Sequence, residues 1–104
     1  MHRLCHRDAI DEGKSKGFQC ADRAVFAVKK DGVIHAYENR CPHLGVELEW
    51  QEDQFLDPDG ALIQCSTHGA LFLIEDGACI SGPCSGSQLK RVATTECDGV
   101  LYIK

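Results

Sequence analysis

Four Asp-Gly dipeptides, each with strand-like residues nearby, constrain the fold of this chain more than any other feature. They fall at 31–32, 59–60, 76–77 and 98–99. Asp-Gly supplies the positive φ values that a tight β-hairpin turn requires. The neighbouring apolar runs predict strands at 25–30, 33–37, 61–65, 71–75, 78–80, 90–97 and 100–104. Several short strands at this spacing predict an antiparallel all-β domain, either a sandwich or a small barrel.

Little of the sequence favours helix. Residues 8–16 have room for a single helical turn around Ala9 and Ile10, but Gly13 and Gly17 exclude a long one. The chain has 104 residues, without repeats, a linker or low-complexity sequence. We therefore expect one domain spanning residues 1–104.

Composition and charge exclude several classes of protein. The net charge of −5 argues against a nucleic-acid binder, which would present a basic face. No run approaches the roughly 20 apolar residues of a membrane span. The N-terminal residues turn polar too soon for a secretory signal. An odd number of cysteines, seven, does not favour a secreted disulfide framework. These features predict a soluble, cytoplasmic protein.

Two short motifs carry the candidate chemistry. Cys41-Pro-His43 is followed, after 21 intervening residues, by Cys65-Ser-Thr-His68. In zinc fingers each loop usually contributes two ligands of one type, two Cys from one loop and two His from the other. One thiolate and one imidazole from each loop suit a diiron site, in which two thiolates hold one iron and two imidazoles the other. A tetrahedral zinc site from the same four side chains remains the alternative.

The other cysteines and histidines lack ligand-like neighbours in the sequence. Cys5, Cys20 and Cys97 are predicted to be packing residues, and His2, His6 and His35 to lie on the surface. Cys79 and Cys84 bracket a Gly-Pro pair, where a disulfide is conceivable. Free thiols are the favoured interpretation in a reducing compartment.

The segments Asn39-Arg-Cys-Pro-His-Leu-Gly45 and Cys65-Ser-Thr-His-Gly69 resemble the motifs of the Rieske ferredoxin family. The resemblance extends from about residue 25 to the C-terminus and includes Gly82-Pro83. It implies an antiparallel β-sandwich with a small cluster-binding subdomain, about residues 38–86, built from two loops and a proline loop. It also implies a [2Fe–2S] cluster, with Cys41 and Cys65 on the inner iron and His43 and His68 on the outer iron.

The chain departs from the high-potential members of that family in positions that bear on its reduction potential. The two positions of their inter-loop disulfide align with Val46 and Thr67. Their Ser and Tyr, whose hydroxyls donate to a sulfide and to a cysteine sulfur, align with Ala70 and Phe72. Fewer donors leave a reduced cluster less stabilised. We therefore expect a potential toward the low end of the Rieske range of about −150 to +300 mV.

The 21 residues between the motifs suggest a small insertion within residues 49–60. Residues 47–59 hold six carboxylates. They form either an acidic docking face for a basic partner or, the favoured interpretation, a solvated loop. Trp50 in this stretch either anchors a partner or, more commonly, packs against the domain and holds the loop there.

The sequence therefore predicts a monomeric one-electron carrier between a reductase and a terminal oxygenase or reductase, without catalytic activity of its own. Two alternatives stay open. One is the small subunit of an assimilatory nitrite reductase, which resembles the same fold. The other is a structural zinc-binding interaction module.

Overall fold

The computed structural model describes residues 2–20, 23–42, 47–48, 51, 53–65, 69–82 and 86–103. Within these ranges the chain forms nine β-strands and one short 3-10 helix, Arg7–Ala9. The strands are β1 His2–His6, β2 Ser15–Cys20, β3 Arg23–Lys30, β4 Val33–Glu38, β5 Leu62–Gln64, β6 Leu71–Leu73, β7 Cys79–Ser81, β8 Thr94–Cys97 and β9 Val100–Ile103. The predicted all-β class is confirmed. No helix in the described ranges has the length and apolar character needed to span a membrane.

The strands form three antiparallel sheets of three strands each. Their orders are β1-β9-β8, β2-β3-β4 and β5-β6-β7. Each sheet is therefore built from strands that are close in sequence, except that the first strand of the chain pairs with the last.

The β2-β3-β4 sheet is buried on both faces. Four consecutive residues of β3, Val25 to Val28, have no exposed surface. Because side chains alternate across a strand, Val25 and Ala27 lie in a core with β1 and β9. Phe26 and Val28 lie in a second core with β5, β6 and β7. This second core also contains Cys41 and Cys65, so the central sheet supports the region where the sequence places the metal ligands.

Two of the four Asp-Gly dipeptides form two-residue hairpin turns. Asp31-Gly32 joins β3 to β4 with φ values of 53° and 76°. Asp98-Gly99 joins β8 to β9 with values of 52° and 79°. Positive φ at both central residues is the geometry that matches the twist of paired strands. At 59–60 and 76–77 only the glycine has positive φ, and the loops are longer.

Strands β1 and β2 were not predicted from the sequence. The segments HRLCH and SKGFQC contain few β-branched residues, and β2 includes a glycine. Their strand conformation comes from pairing with β9 and β3, both of which are more apolar. Pairing with a distant strand therefore outweighs weak local propensity.

Two sequence predictions about individual side chains are wrong. His35 is buried rather than on the surface, at 8% exposure, because the face of β4 that carries it is covered by neighbouring elements. Cys97 is exposed rather than packed, and it lies on β8, an outer strand whose last three residues are all exposed. Cys5 is buried as predicted, and His2 and His6 are exposed as predicted.

Candidate metal centre

The first candidate loop begins directly after β4 and is closed at its base by a side chain. The Asn39 N–H donates to the carbonyl oxygen of Ala24 at 2.9 Å, which extends the β3–β4 pairing by one residue. The Asn39 Oδ1 accepts the N–H of Leu48 at 2.8 Å. Both Asn39 and Leu48 are buried. The two residues that flank the first motif, Asn39 and Leu48, are therefore held together.

The second candidate loop connects β5 to β6. The Cys65 N–H donates to the Ala70 carbonyl oxygen at 2.8 Å, and the Gly69 N–H donates to the Cys65 carbonyl oxygen at 3.0 Å. Gly69 has φ of +66°, a left-handed conformation that glycine adopts without strain. These two hydrogen bonds hold Cys65 beside Gly69 and Ala70, at the base of the connection between β5 and β6.

The third candidate loop follows β7 and lies against the second. Gly82 has φ of +105°, and a Cβ placed there would lie 2.9 Å from the Ala70 Cα. That distance is shorter than any ordinary van der Waals contact, so the two backbones can approach this closely only with glycine at position 82. Position 83 follows directly, so the Gly82-Pro83 loop of the sequence begins beside the second candidate loop.

These loops bring the two candidate thiol ligands into one buried cluster. Cys41 is 2% exposed and Cys65 has no exposed surface, and both belong to the core between the second and third sheets. Two sulfur donors that share a dry environment suit the inner iron of a diiron cluster, which needs thiolate ligands shielded from water. The donor set therefore fits the group that the sequence predicts, as far as the described residues extend.

The two candidate imidazole ligands, His43 and His68, lie outside the described residues. Within the described ranges no group of three or more His, Cys, Asp or Glu side chains is placed to hold a metal ion. Pro83, Cys84, Val46, Thr67 and Trp50 also lie outside these ranges, so the proline loop's outer part, the Cys79–Cys84 pair and the role of Trp50 stay predictions.

Ala70 and Phe72 are buried at the second loop. Their exposed fractions are 1% and 0%. Neither side chain carries a hydroxyl, so neither position supplies the hydrogen bond expected in high-potential relatives. The consequence for the reduction potential stays a prediction.

The acidic stretch between the motifs is partly structural. Asp53, whose φ is +63°, accepts the Gly17 N–H on Oδ1 at 2.7 Å, and its carbonyl oxygen accepts the Ser15 hydroxyl at 2.7 Å. Asp57 Oδ1 accepts the N–H groups of Ala61 and Leu62. These two carboxylates hold the stretch against β2 and β5. Glu49 and Glu52 lie outside the described residues, while Glu47 and Asp59 are exposed.

Two buried titratable groups lie in the core beneath the centre. Burial lowers the pKa of His35 below its usual value, and the positive charge of Arg91 lowers it further. Burial raises the pKa of Tyr37, whose hydroxyl donates to the Ile74 carbonyl oxygen at 2.7 Å. Both groups are therefore neutral near pH 7, and the Tyr37 hydroxyl ties β4 to the third sheet without adding charge.

Sequence reasoning missed the contacts that shape the centre. Asn39 was part of the first motif, but its side-chain bond to Leu48 spans nine positions and leaves no local pattern. The contact between Gly82 and Ala70 joins segments that only the β6–β7 pairing brings together. An asparagine two residues before the first cysteine was the one signal that the sequence offered.

The fold and the loops define a small antiparallel β domain with a buried two-thiol site. The sequence matches the family described as Rieske [2Fe-2S] domain over residues 1–96. The chain belongs to that family, whose members bind a [2Fe–2S] cluster.

Relatives of known description lie in the same family. The chain is 35% identical over 74 residues to the ferredoxin component of an alkene monooxygenase system from Xanthobacter autotrophicus, covering 71% of this chain and 57% of the relative. It is 33% identical over 95 residues to a cytochrome b6-f complex iron-sulfur subunit from Chlorobaculum thiosulfatiphilum, covering 91% of this chain and 49% of the relative. The chain thus spans about half the length of these relatives.

Among solved structures, a ferredoxin of Sphingomonas yanoikuyae B1 superposes with a TM-score of 0.76 at 28% identity. The match covers 97% of this chain and 94% of that one. The ferredoxin of carbazole 1,9a-dioxygenase from Nocardioides aromaticivorans IC177 superposes with a TM-score of 0.77 at 17% identity, covering 99% and 97% of the two chains, and shows the fold alone.

Proposed function

We propose that the chain is a Rieske-type ferredoxin that carries single electrons from a reductase to an oxygenase or another redox partner. Cys41 and Cys65 would hold the inner iron of a [2Fe–2S] cluster, and His43 and His68 the outer iron. When bound, such a cluster supplies a one-electron couple. The chain's own residues exclude water from the thiolate side and fix the loops that present the ligands.

The observation that carries the proposal is the pair of buried cysteines. Cys41 and Cys65 come from two separate loops, one after β4 and one after β5, yet lie in one core. Two thiols that come from separate loops and share one core suit a site that binds a metal through both sulfurs. Membership in an iron–sulfur family favours iron over the zinc alternative.

The relatives support the carrier role. One is named a ferredoxin component of a monooxygenase system, and another, nearly equal in length to this chain, is named a ferredoxin. Structural neighbours also come from complexes of the oxygenase and ferredoxin of carbazole 1,9a-dioxygenase. One superposes with a TM-score of 0.80 at 22% identity over 28% of a longer chain, which supports the fold alone. The nitrite reductase alternative has no specific observation in its favour.

The residues at the second loop support a ferredoxin over a quinol-oxidising subunit. Relatives of both kinds match this chain. Ala70 and Phe72 lack the hydroxyls that stabilise the reduced state in high-potential proteins. A lower potential suits delivery of electrons to an oxygenase or reductase.

We also propose that the chain is a single domain, a monomeric carrier in the cytoplasm and not an enzyme by itself. A groove of about 580 Å³ lies between residues 13–15 and 53–60. Ser15 supplies the hydroxyl in its described lining, and that hydroxyl already donates to the Asp53 carbonyl oxygen. The groove thus offers no nucleophile paired with a base among its described residues. The five cysteines whose side chains are described form no disulfide with one another, which suits a reducing compartment.

Anaerobic purification followed by dye-mediated potentiometry tests the proposal. We expect red-brown protein whose visible absorption bleaches on dithionite reduction, with a midpoint potential below roughly +150 mV. Colourless protein that contains zinc, or that takes up no iron on reconstitution, would contradict the cofactor assignment. A midpoint above that value would contradict the carrier role argued from Ala70 and Phe72.

A further inference from the structure

We propose that Asn39 is a positioning residue for the metal centre, an inference that rests on the proposed function. Its carboxamide holds the two residues that flank the first motif together and so fixes where Cys41 lies relative to Cys65. Asn39 acts on the site through the backbone of Leu48.

The geometry of Asn39 is that of a clamp anchored on both sides. Its backbone N–H is held by Ala24 on the central sheet, and its side-chain oxygen holds Leu48, nine residues away. Leu48 in turn has no exposed surface and lies in the same core as Cys41 and Cys65. The clamp therefore joins the central sheet, the end of the first loop and the buried thiol pair.

Burial explains why the clamp matters energetically. Asn39 is 6% exposed, so water does not readily replace its oxygen as the acceptor for the Leu48 N–H. A buried N–H left without an acceptor costs its full desolvation. Loss of the carboxamide would therefore release the loop end rather than exchange one partner for another.

The chemistry of the residue also suits a redox site. A carboxamide oxygen accepts a hydrogen bond without carrying a formal charge. A carboxylate of the same shape would place a buried negative charge two residues from Cys41, which would oppose the addition of an electron. A neutral clamp holds the loop without lowering the potential.

The test compares three cluster-loaded variants with the wild type. Asn39→Leu keeps the branching at Cγ and removes the acceptor. Asn39→Asp keeps an oxygen acceptor and adds charge. Asp57→Ala is the matched control, because Asp57 also holds a loop through two backbone N–H groups, but that loop carries no candidate ligand.

We expect Asn39→Leu to lose its cluster to a chelator about tenfold faster than wild type, the size set by one unsatisfied buried donor. Its reduced EPR spectrum should change shape, because the ligand geometry changes. Asn39→Asp keeps an acceptor for the Leu48 N–H, so its rate of cluster loss should stay within about threefold of wild type, well short of the tenfold expected for an unsatisfied donor. Its reduction potential should be lower than that of the wild type. Asp57→Ala should change the melting temperature and leave the spectrum and the potential unchanged.

The proposal is overturned if Asn39→Leu keeps the wild-type spectrum, potential and cluster lifetime, or if Asp57→Ala changes them equally. Should Asn39→Leu fail to fold, hydrogen exchange on the loaded wild type decides, since the Leu48 amide should exchange as slowly as the amides of β3 and β4. Fast exchange at Leu48 would overturn the clamp. If the wild type itself binds no cluster, the proposed function fails instead, which separates the two outcomes.

Discussion

Replacing Gly82 by alanine tests the close approach of the second and third candidate loops. The added Cβ would lie 2.9 Å from the Ala70 Cα and 3.0 Å from the Ala70 Cβ. Both atoms are backbone or attached directly to it, so neither can rotate away. The loops must therefore separate, which would loosen the site that contains Cys65.

Two costs add in this variant. An L-residue in the left-handed region costs about 1–2 kcal/mol, and Gly82 has φ of +105°. Forcing one more carbon into a tight contact costs about 1–3 kcal/mol. We expect a total loss of about 2–5 kcal/mol in the free energy of unfolding, the sum of these two contributions. In a domain of this size each kcal/mol lowers the melting temperature by about 4–8 °C.

Gly86 provides the matched control, because it has φ of +94° and no atom lies within 4 Å of the position that a Cβ would take there. Gly86→Ala should therefore show only the backbone cost of about 1–2 kcal/mol. Urea unfolding of both cluster-loaded variants, followed by the visible absorption of the cluster and by far-UV circular dichroism, measures the difference. Equal losses in the two variants would refute the loop contact.

Three further perturbations test other parts of the account. Ala70→Ser and Phe72→Tyr should each raise the midpoint potential, measured by dye titration, by about 60 mV. This is the shift for a tenfold preference for the reduced state in a one-electron couple. If neither variant shows a shift, the roles assigned to these positions are contradicted. Tyr37→Phe should lower the free energy of unfolding by about 1–2 kcal/mol, because the Ile74 carbonyl oxygen loses its buried donor; the partly exposed Tyr102→Phe serves as comparison, and equal losses would contradict the Tyr37 bond. The pKa of His35 is lowered in the folded state, so the unfolded chain binds more protons near pH 6.5 and stability should fall as pH drops through that value. His35→Gln should remove that part of the slope, at most about 1.4 kcal/mol per pH unit for one proton, in denaturation measured between pH 7.5 and 5.5; an unchanged slope would contradict the burial of His35.

The strands beside Asp-Gly turns could be predicted because local chemistry determines them. Positive φ at Asp31-Gly32 and Asp98-Gly99 needs no information from elsewhere in the chain. Strands β1 and β2 could not be predicted from the sequence, because their conformation depends on pairing with β9 and β3. His35 shows the same limit at the level of one side chain, since its burial follows from a sheet covered on both faces.

The candidate site likewise has residues that the sequence predicts and contacts that it does not. Cys41 and Cys65 were predicted from spacing and residue type, and the fold places both in one core. The clamp from Asn39 to Leu48 and the contact of Gly82 with Ala70 are tertiary contacts, which no motif encodes. The structural roles of Asp53 and Asp57 likewise emerge only from their backbone partners, which hold the two carboxylates against β2 and β5.

The central claim is that two thiolates and two imidazoles from separate loops hold one diiron cluster. Pulsed EPR on the dithionite-reduced protein, grown with ¹⁵N-histidine, tests this most directly. We predict strong ¹⁵N couplings from two imidazoles, reduced to one in either His43→Cys or His68→Cys, with a lower potential in each variant. Absence of histidine couplings from an iron-loaded wild type, or two couplings that persist in either single variant, would contradict the claim.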